Sequence, residues 1–308
     1  MGLNSPEDPS TQIESRNLTQ KEERYLQRQV YYFFPFLRVA YEFLKREKIG
    51  DQSLVVQSIN NLKDLCHYYA GAFVFGEFDL KREQQIIDEL FVQMGDAKTE
   101  LKRRLFKLQG NRFNTSDGDP KEYFFGDRLC ADVFNLSEKS EKEFDMGVGG
   151  GLISLEGAKR RELLFGLAEY IKKGKKPDEQ LAVWGNVARG AIDGAAIDLV
   201  LKRMGIPSEF YLYRMSTQAY EDKAAFSLGE QIQITSDKTW SIGVDSMSSG
   251  GKSVPKSVDY LQALGYPRVS FFLTWCGYTQ KKRYPIEYQW DAFPNNEVGT
   301  LLECSNKK

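Results

Sequence analysis

The sequence predicts an α+β protein: an all-helical N-terminal region, then further helices, then a mainly antiparallel β core. Two observations carry this. From Gln20 to Leu108 apolar residues recur at helical spacing, whereas strand patterns begin only at Phe210. Helices gathered early and strands late, rather than in alternation, point to α+β. A third observation, a loop-rich stretch closing on Gly147-Val148-Gly149-Gly150-Gly151, separates the two regions. The predicted divisions are a disordered lead over 1–19, a helical region with its connection over 20–150, and a second domain over 151–308.

Composition narrows the classes of function. The chain has 308 residues, 41% hydrophobic and 28% charged, which is globular composition with room for two domains. A net charge of −1 gives no overall field toward nucleic acid or membrane, so any polyanion site is a local patch. The four cysteines form no CxxC pair and the single histidine, His67, directly follows Cys66. That spacing disfavours zinc, and the size disfavours a disulfide frame, so free thiols in a reducing cytoplasm are expected. One histidine among helix-core neighbours also argues against His-dependent nucleophilic catalysis, and His67 reads as structural. The N-terminus has no apolar leader, and Pro6 stands where a myristoylation motif needs Ser or Thr. No apolar run reaches the ~18 residues that span a bilayer.

The elements follow in order. Gln20 to Lys48 reads as an aromatic-rich buried helix, kinked at Pro35. Ser53 to Phe75 and Lys81 to Leu108 read as two more, the last with a basic side and a break near Gly95. Residues 109–150 read as connection, and the glycine run as a linker, because no strand precedes it. Leu155–Lys172 and Asp178–Met204 read as helices. The second carries Gly190, Ala191, Gly194 and Ala195 on one face, suited to close packing, and ends at Gly205-Ile206-Pro207. Strands are expected at Phe210–Tyr213, through Ile232 and Ile234 to Ser241, at Arg268–Trp275 and at Glu297–Leu302. A short helix is expected at Val258–Leu264.

The most informative stretch runs from Phe210 to Ser241. An apolar strand ends in Tyr213-Arg214, and a later strand runs into Ser236, Thr239 and Ser241. An arginine fork beside hydroxyls suits an anionic, phosphate-bearing ligand. By themselves these residues also fit an ordinary two-strand unit with a surface arginine. Gly251-Lys252-Ser253 resembles the end of a P-loop. However, Ser246 replaces the first glycine, Pro255 falls where the helix should begin, and no Walker B strand is evident. A nucleotide hydrolase is therefore the least favoured reading.

Taken as an ordered set, Tyr213-Arg214, Thr239-Trp240-Ser241 (with Ser236 as the alternative register) and Asn295-Asn296-Glu297-Val298 resemble the motifs of ADP-ribosyltransferases of the Arg–Ser–Glu class, the bacterial toxin and phage type. The resemblance spans roughly residues 155–303. It implies a split, mainly antiparallel β core and NAD+ as substrate, with no metal. It implies Glu297 as the catalytic carboxylate, with Arg214 at the phosphates beside Tyr213, and Thr239 and Ser241 supporting Glu297. Asn295 stands where the family has Glu or Gln, which argues against arginine as the acceptor. The segment Tyr284–Asn295, with Tyr288, Trp290 and Phe293 after Lys281-Lys282-Arg283, would meet a macromolecular acceptor: a protein by family habit, RNA or DNA next. Such a toxin implies a neutralising partner, for which the helical N-terminal region is the natural seat. The competing reading is a non-catalytic interaction module on a degenerate scaffold of this type.

Overall fold

A computed structural model describes residues 16–27, 29–30, 33, 37, 52–94, 151–187, 189–215, 239–248, 253–276, 278–290 and 298–305. The described elements are α1 (Gln52–Phe75), α2 (Leu80–Met94), a 3₁₀ turn (Leu152–Ser154), α3 (Gly157–Gly174), β1 (Gln180–Asn186), α4 (Arg189–Arg203), β2 (Ser208–Tyr213), β3 (Thr239–Ser248), α5 (Ser253–Ala263), β4 (Arg268–Cys276), α6 (Tyr278–Arg283), β5 (Ile286–Gln289) and β6 (Val298–Glu303). Residues 20–27 are also helical.

The strands form one six-stranded mixed sheet in the order β2-β1-β3-β4-β6-β5. β2, β1, β3 and β4 run parallel, and β6 is antiparallel to both β4 and β5. The chain is thus mixed α/β, and the expectation of a mainly antiparallel core is corrected. The cause is local. Asp178–Met204, read as one helix, is β1 followed by α4. Leu181-Ala182-Val183-Trp184-Gly185 is an unbroken apolar run, buried along its length. A central parallel strand is covered on both faces and so shows no alternation to distinguish it from a buried helix. With β1 hidden, the β1–α4–β2 crossover could not be seen.

Two layers of helices cover the sheet. On one face α4, α3, α1, α2 and the helical residues near Tyr25 share a single apolar cluster with Leu181, Val183, Leu212, Ile242 and Phe272. On the other face Val254, Val258 and Leu261 of α5 pack with Trp184, Tyr213, Phe271 and Leu302. The small-residue face of α4 is what brings that helix onto the sheet. A Cβ on Gly190 would lie 2.4 Å from the Val244 carbonyl oxygen, and one on Gly185 would lie 2.8 Å from the Ala191 Cα. Backbone therefore meets backbone where α4 crosses β1 and β3.

Arg160 of α3 fastens the helical layer. Its buried guanidinium donates to the carbonyls of Leu152 (2.7 Å), Phe73 (2.7 Å) and Leu155 (2.5 Å), and to Glu23 (3.0 Å). His67 is structural, as expected. Its ring bonds Asp198 at 2.8 Å, and Asp198 also accepts from Lys202 and Ser208, tying α1, α4 and β2 at the far edge of the sheet. Burial pushes the Asp198 carboxyl up, but the three donors, led by His67, outweigh it and hold it below the ordinary range. Cys66, Cys276 and Cys304 are buried free thiols, as expected; Cys130 lies outside the described residues. No described helix is long and apolar enough to cross a membrane.

Candidate active site

The β1–α4–β2 crossover lies on one face of the sheet and α5, which follows β3, lies on the other. Strand order therefore reverses between β1 and β3. In open parallel sheets that reversal opens a crevice outside the carboxyl ends of the two strands, where ligands bind.

Asn186 and Asp245 stand on either side of this point. Asn186 is the last residue of β1. Its Nδ2 donates to Asp245 Oδ2 at 2.9 Å and to the Met215 carbonyl at 3.2 Å, and its Oδ1 accepts from the Met215 N–H at 2.9 Å. One amide thus joins the ends of β1, β2 and β3 and orients a carboxylate. Asp245 also accepts from the Ser246 N–H at 2.8 Å. The neighbouring Val244 packs with α4, so by strand alternation Asp245 points to the α5 side, the side of Trp184 and Tyr213.

On the α4 side a second carboxyl is fully enclosed. Asp193 accepts from the Leu152 N–H at 3.1 Å and from the Thr274 hydroxyl at 2.7 Å. Burial pushes its pKa up to about 7, and the charge of Asp245 adds to this. The two hydrogen bonds pull the other way without cancelling the burial. Gly151 lies in the left-handed region at φ 94°. A Cβ there would come within 3.2 Å of both Asp193 Oδ2 and the Ser246 Cβ. The Gly151–Leu155 turn therefore rests directly on the residue after Asp245.

β3 leads through Ser249-Gly250-Gly251-Lys252, which lie outside the described residues, into α5 at Ser253. Pro255, which argued against a helix here, falls in the first turn of α5, where the missing N–H has no intrahelical acceptor to lose. The arrangement of strand, Ser/Gly link and helix is therefore present here, although the formal P-loop spacing is not.

The residues expected from the ADP-ribosyltransferase resemblance are dispersed. Arg214 follows β2 at the carboxyl edge and is buried. Tyr213 beside it is enclosed, its ring parallel to Tyr260 at 6.4 Å. Ser241 is level with Ala182 and so with Glu209, five residues short of Arg214. At ~3.3 Å per residue the two are roughly 16 Å apart along the strands. Thr239, level with Gln180, is farther still. Neither hydroxyl residue shares an edge with Arg214. Tyr288 packs against Tyr170 of α3, and Trp290 is buried and donates to Glu162 at 3.4 Å. Both rings are engaged within the fold. Ser236, Phe293, Asn295 and Glu297 lie outside the described residues; β6 starts at Val298, level with Trp275 and hence with Met247. Among the described residues no cluster of three or more His, Cys, Asp or Glu is placed to hold a metal ion.

Asn186, Asp193 and Asp245 were not singled out from sequence. The available signal was the alternation of Trp240, Ile242 and Val244 with Ser241 and Gly243, leading through Asp245 into a Ser/Gly-rich stretch and a helix. Comparison with protein-family models, curated proteins and solved structures returned no match.

Proposed function

We propose that the chain binds a ribose 5-phosphate group at the carboxyl edge of β1–β4 and transfers it from the anomeric carbon, as a phosphoribosyl transferase would. The observation that carries this reading is the Asn186–Asp245 pair across the switch point, followed by a Ser-Gly-Gly-Lys link and the start of α5. An acidic side chain at such a point suits ribose hydroxyls. A glycine-rich link into a helix N-terminus suits a phosphate, which the exposed N–H groups and the helix dipole favour. On the other side of Asp245, the N-terminus of α4 and the Arg214 guanidinium at the end of β2 suit a second anion.

A ribose with phosphate groups at both ends matches that layout, and 5-phosphoribosyl 1-diphosphate is the simplest such donor. In the reaction the bond between C1 and the diphosphate oxygen breaks through an oxocarbenium-like state. The acceptor's nucleophilic atom bonds to C1 and gives up its proton, and diphosphate leaves with the bonding electron pair. The helix start that takes the diphosphate would stabilise the charge that develops on it, while the other holds the 5-phosphate.

A specific observation favours a second reading, in which NAD+ is the ribosyl donor. Arg214 and the start of β6 at Val298, the residue after Glu297, both lie at this same edge. The two readings share a ribosyl transfer at C1 and differ in the leaving group.

Thermal unfolding in the presence of ribose, ribose 5-phosphate, 5-phosphoribosyl 1-diphosphate and NAD+ separates them. The two phosphorylated riboses should raise Tm and ribose itself should leave it unchanged. Stabilisation by NAD+ alone would move the assignment to ADP-ribosyl transfer. No shift with any of the four would favour the non-catalytic interaction module.

A further inference from the structure

Asp193 has no part in the ligand contacts just proposed, yet it is among the most completely enclosed carboxyl groups of the fold. It stands in the second turn of α4, and its two oxygens are used by different parts of the chain. Oδ1 accepts from the Leu152 N–H at 3.1 Å; Oδ2 accepts from the Thr274 hydroxyl on β4 at 2.7 Å. The Leu152 N–H belongs to the turn whose first residue, Gly151, lies against both Asp193 and Ser246. That turn is held from behind by Arg160, which takes the carbonyls of Leu152, Ile153 and Leu155. Arg160 thus grips the acceptors of the turn and Asp193 grips its leading donor.

We propose, resting on the ribose-phosphate reading, that Asp193 is a positioning residue of this site: it fastens the Gly151–Leu155 turn to the ends of β3 and β4 and so fixes the wall behind Ser246 and Asp245. The carboxyl need not be charged to do this. A protonated Asp193 still accepts the Leu152 N–H on its carbonyl oxygen, and its O–H can donate to Thr274 Oγ1, with that hydroxyl reversing its role. The charged groups that act on it are Asp245, which lies on the opposite face of β3, and Arg160 from α3; β4 contributes the neutral Thr274 and the turn contributes its N–H. Burial and Asp245 both favour the protonated form, so Asp193 changes charge near neutral pH. Ionisation adds a negative charge behind a site that takes phosphates. It also leaves a buried charge held by only two donors.

The substitution Asp193→Asn reproduces the neutral form, with one oxygen for Leu152 and an N–H for Thr274. Asp193→Ala removes both contacts, and Thr274→Val removes one. Two readouts separate the outcomes. The first is ribose 5-phosphate affinity by calorimetry between pH 6 and pH 8.5, taken as the ratio of wild type to Asp193→Asn. The ligand's own titration is common to both proteins and cancels in that ratio. The two proteins should bind alike at pH 6, and wild type should fall several-fold behind by pH 8.5. A ratio that does not change with pH would overturn the proposal. The second is hydrogen exchange of the 151–155 amides without ligand. Protection should persist in Asp193→Asn, weaken in Thr274→Val and be lost in Asp193→Ala while the β1 and β3 amides stay protected. Unchanged 151–155 protection in Asp193→Ala would also overturn it. If wild type binds no ribose 5-phosphate but the exchange pattern holds, the ligand reading fails and the fastening role stands.

Discussion

Asn186 is the residue on which most of the site's geometry depends. Its amide reproduces, on one side chain, the paired donor and acceptor of a strand ladder, and so extends β1 toward Met215 where the ladder ends. The remaining N–H of the same group orients Asp245. Asn186→Leu keeps the branching at Cγ but adds bulk, and it strands the Met215 N–H and C=O in a buried place. The expected cost is about 1–3 kcal/mol of stability, with at least a tenfold loss in ribose 5-phosphate affinity. Urea unfolding and calorimetry check the two parts separately. Loss of stability with affinity unchanged would detach Asn186 from the site. None of this was legible in the sequence, because a lone Asn in a helix-like run carries no sign that a strand ends there. His67 was legible, since its helical surroundings pointed to the structural role it has with Asp198.

Helices were legible from their 3.6-residue spacing, and β4 from its β-branched and aromatic run, although like β1 it is buried on both faces. α1 and α3 lie within two residues of their expected bounds, and β4 was anticipated from Val269, Phe271, Phe272 and Leu273. β1 was not, because burial on both faces erases the alternation that marks a strand. Its neighbour α4 was read correctly as a helix with a small face, and that face has a measurable consequence. In Gly190→Ala the added methyl would meet the Val244 carbonyl oxygen at 2.4 Å and the Asp245 Cα at 2.9 Å. Both are backbone atoms, so α4 must lift from β3. Alanine is the better helix former by ~1 kcal/mol, yet the clash should outweigh that gain and lower Tm. A Tm equal to or above wild type would show that α4 does not sit on β3 as described. Gly205, with open space around it, provides the contrast. It has a positive φ of 72°, so alanine there should be destabilising through backbone strain alone.

At the scale of the whole molecule, two enclosed carboxyls tie stability to pH. Burial pushes Glu83 up to about 7, against the opposing hydrogen bonds from Tyr69 and Tyr25, and Asp193 is likewise held near 7. In the unfolded chain both return to roughly 4. Between those values the folded protein binds more protons than the unfolded one. These two groups therefore make stability fall as pH rises from about 4 to about 7, and level off above that range. Their contribution is largest at and below about pH 4. Thermal unfolding across this window should show the decline, and the double variant Glu83→Gln, Asp193→Asn should reduce its slope; part of what remains belongs to Asp64 and Glu287, which burial raises in the same direction. A decline of equal slope in the double variant would assign the effect to other groups.

The same scale explains why the sequence could not bring the residues of the candidate site together. Tyr213-Arg214 was rightly singled out as the end of a strand. The partner group, though, depends on which strand ends share an edge. That follows from parallel pairing through β1 rather than from order along the chain. Register sends Thr239 and Ser241 to the opposite edge and brings Asn186 and Asp245 together.

The proposal turns on Asp245, which Asn186 sets at the β1–β3 switch point, receiving the ribose of a phosphorylated ligand. Titration calorimetry of 5-phosphoribosyl 1-diphosphate into wild type and Asp245→Asn tests it most directly, with thermal unfolding to confirm that both proteins are folded. Wild type should bind saturably, and the folded variant should bind at least tenfold more weakly. Equal affinity in the two proteins, or no binding by wild type, would contradict it.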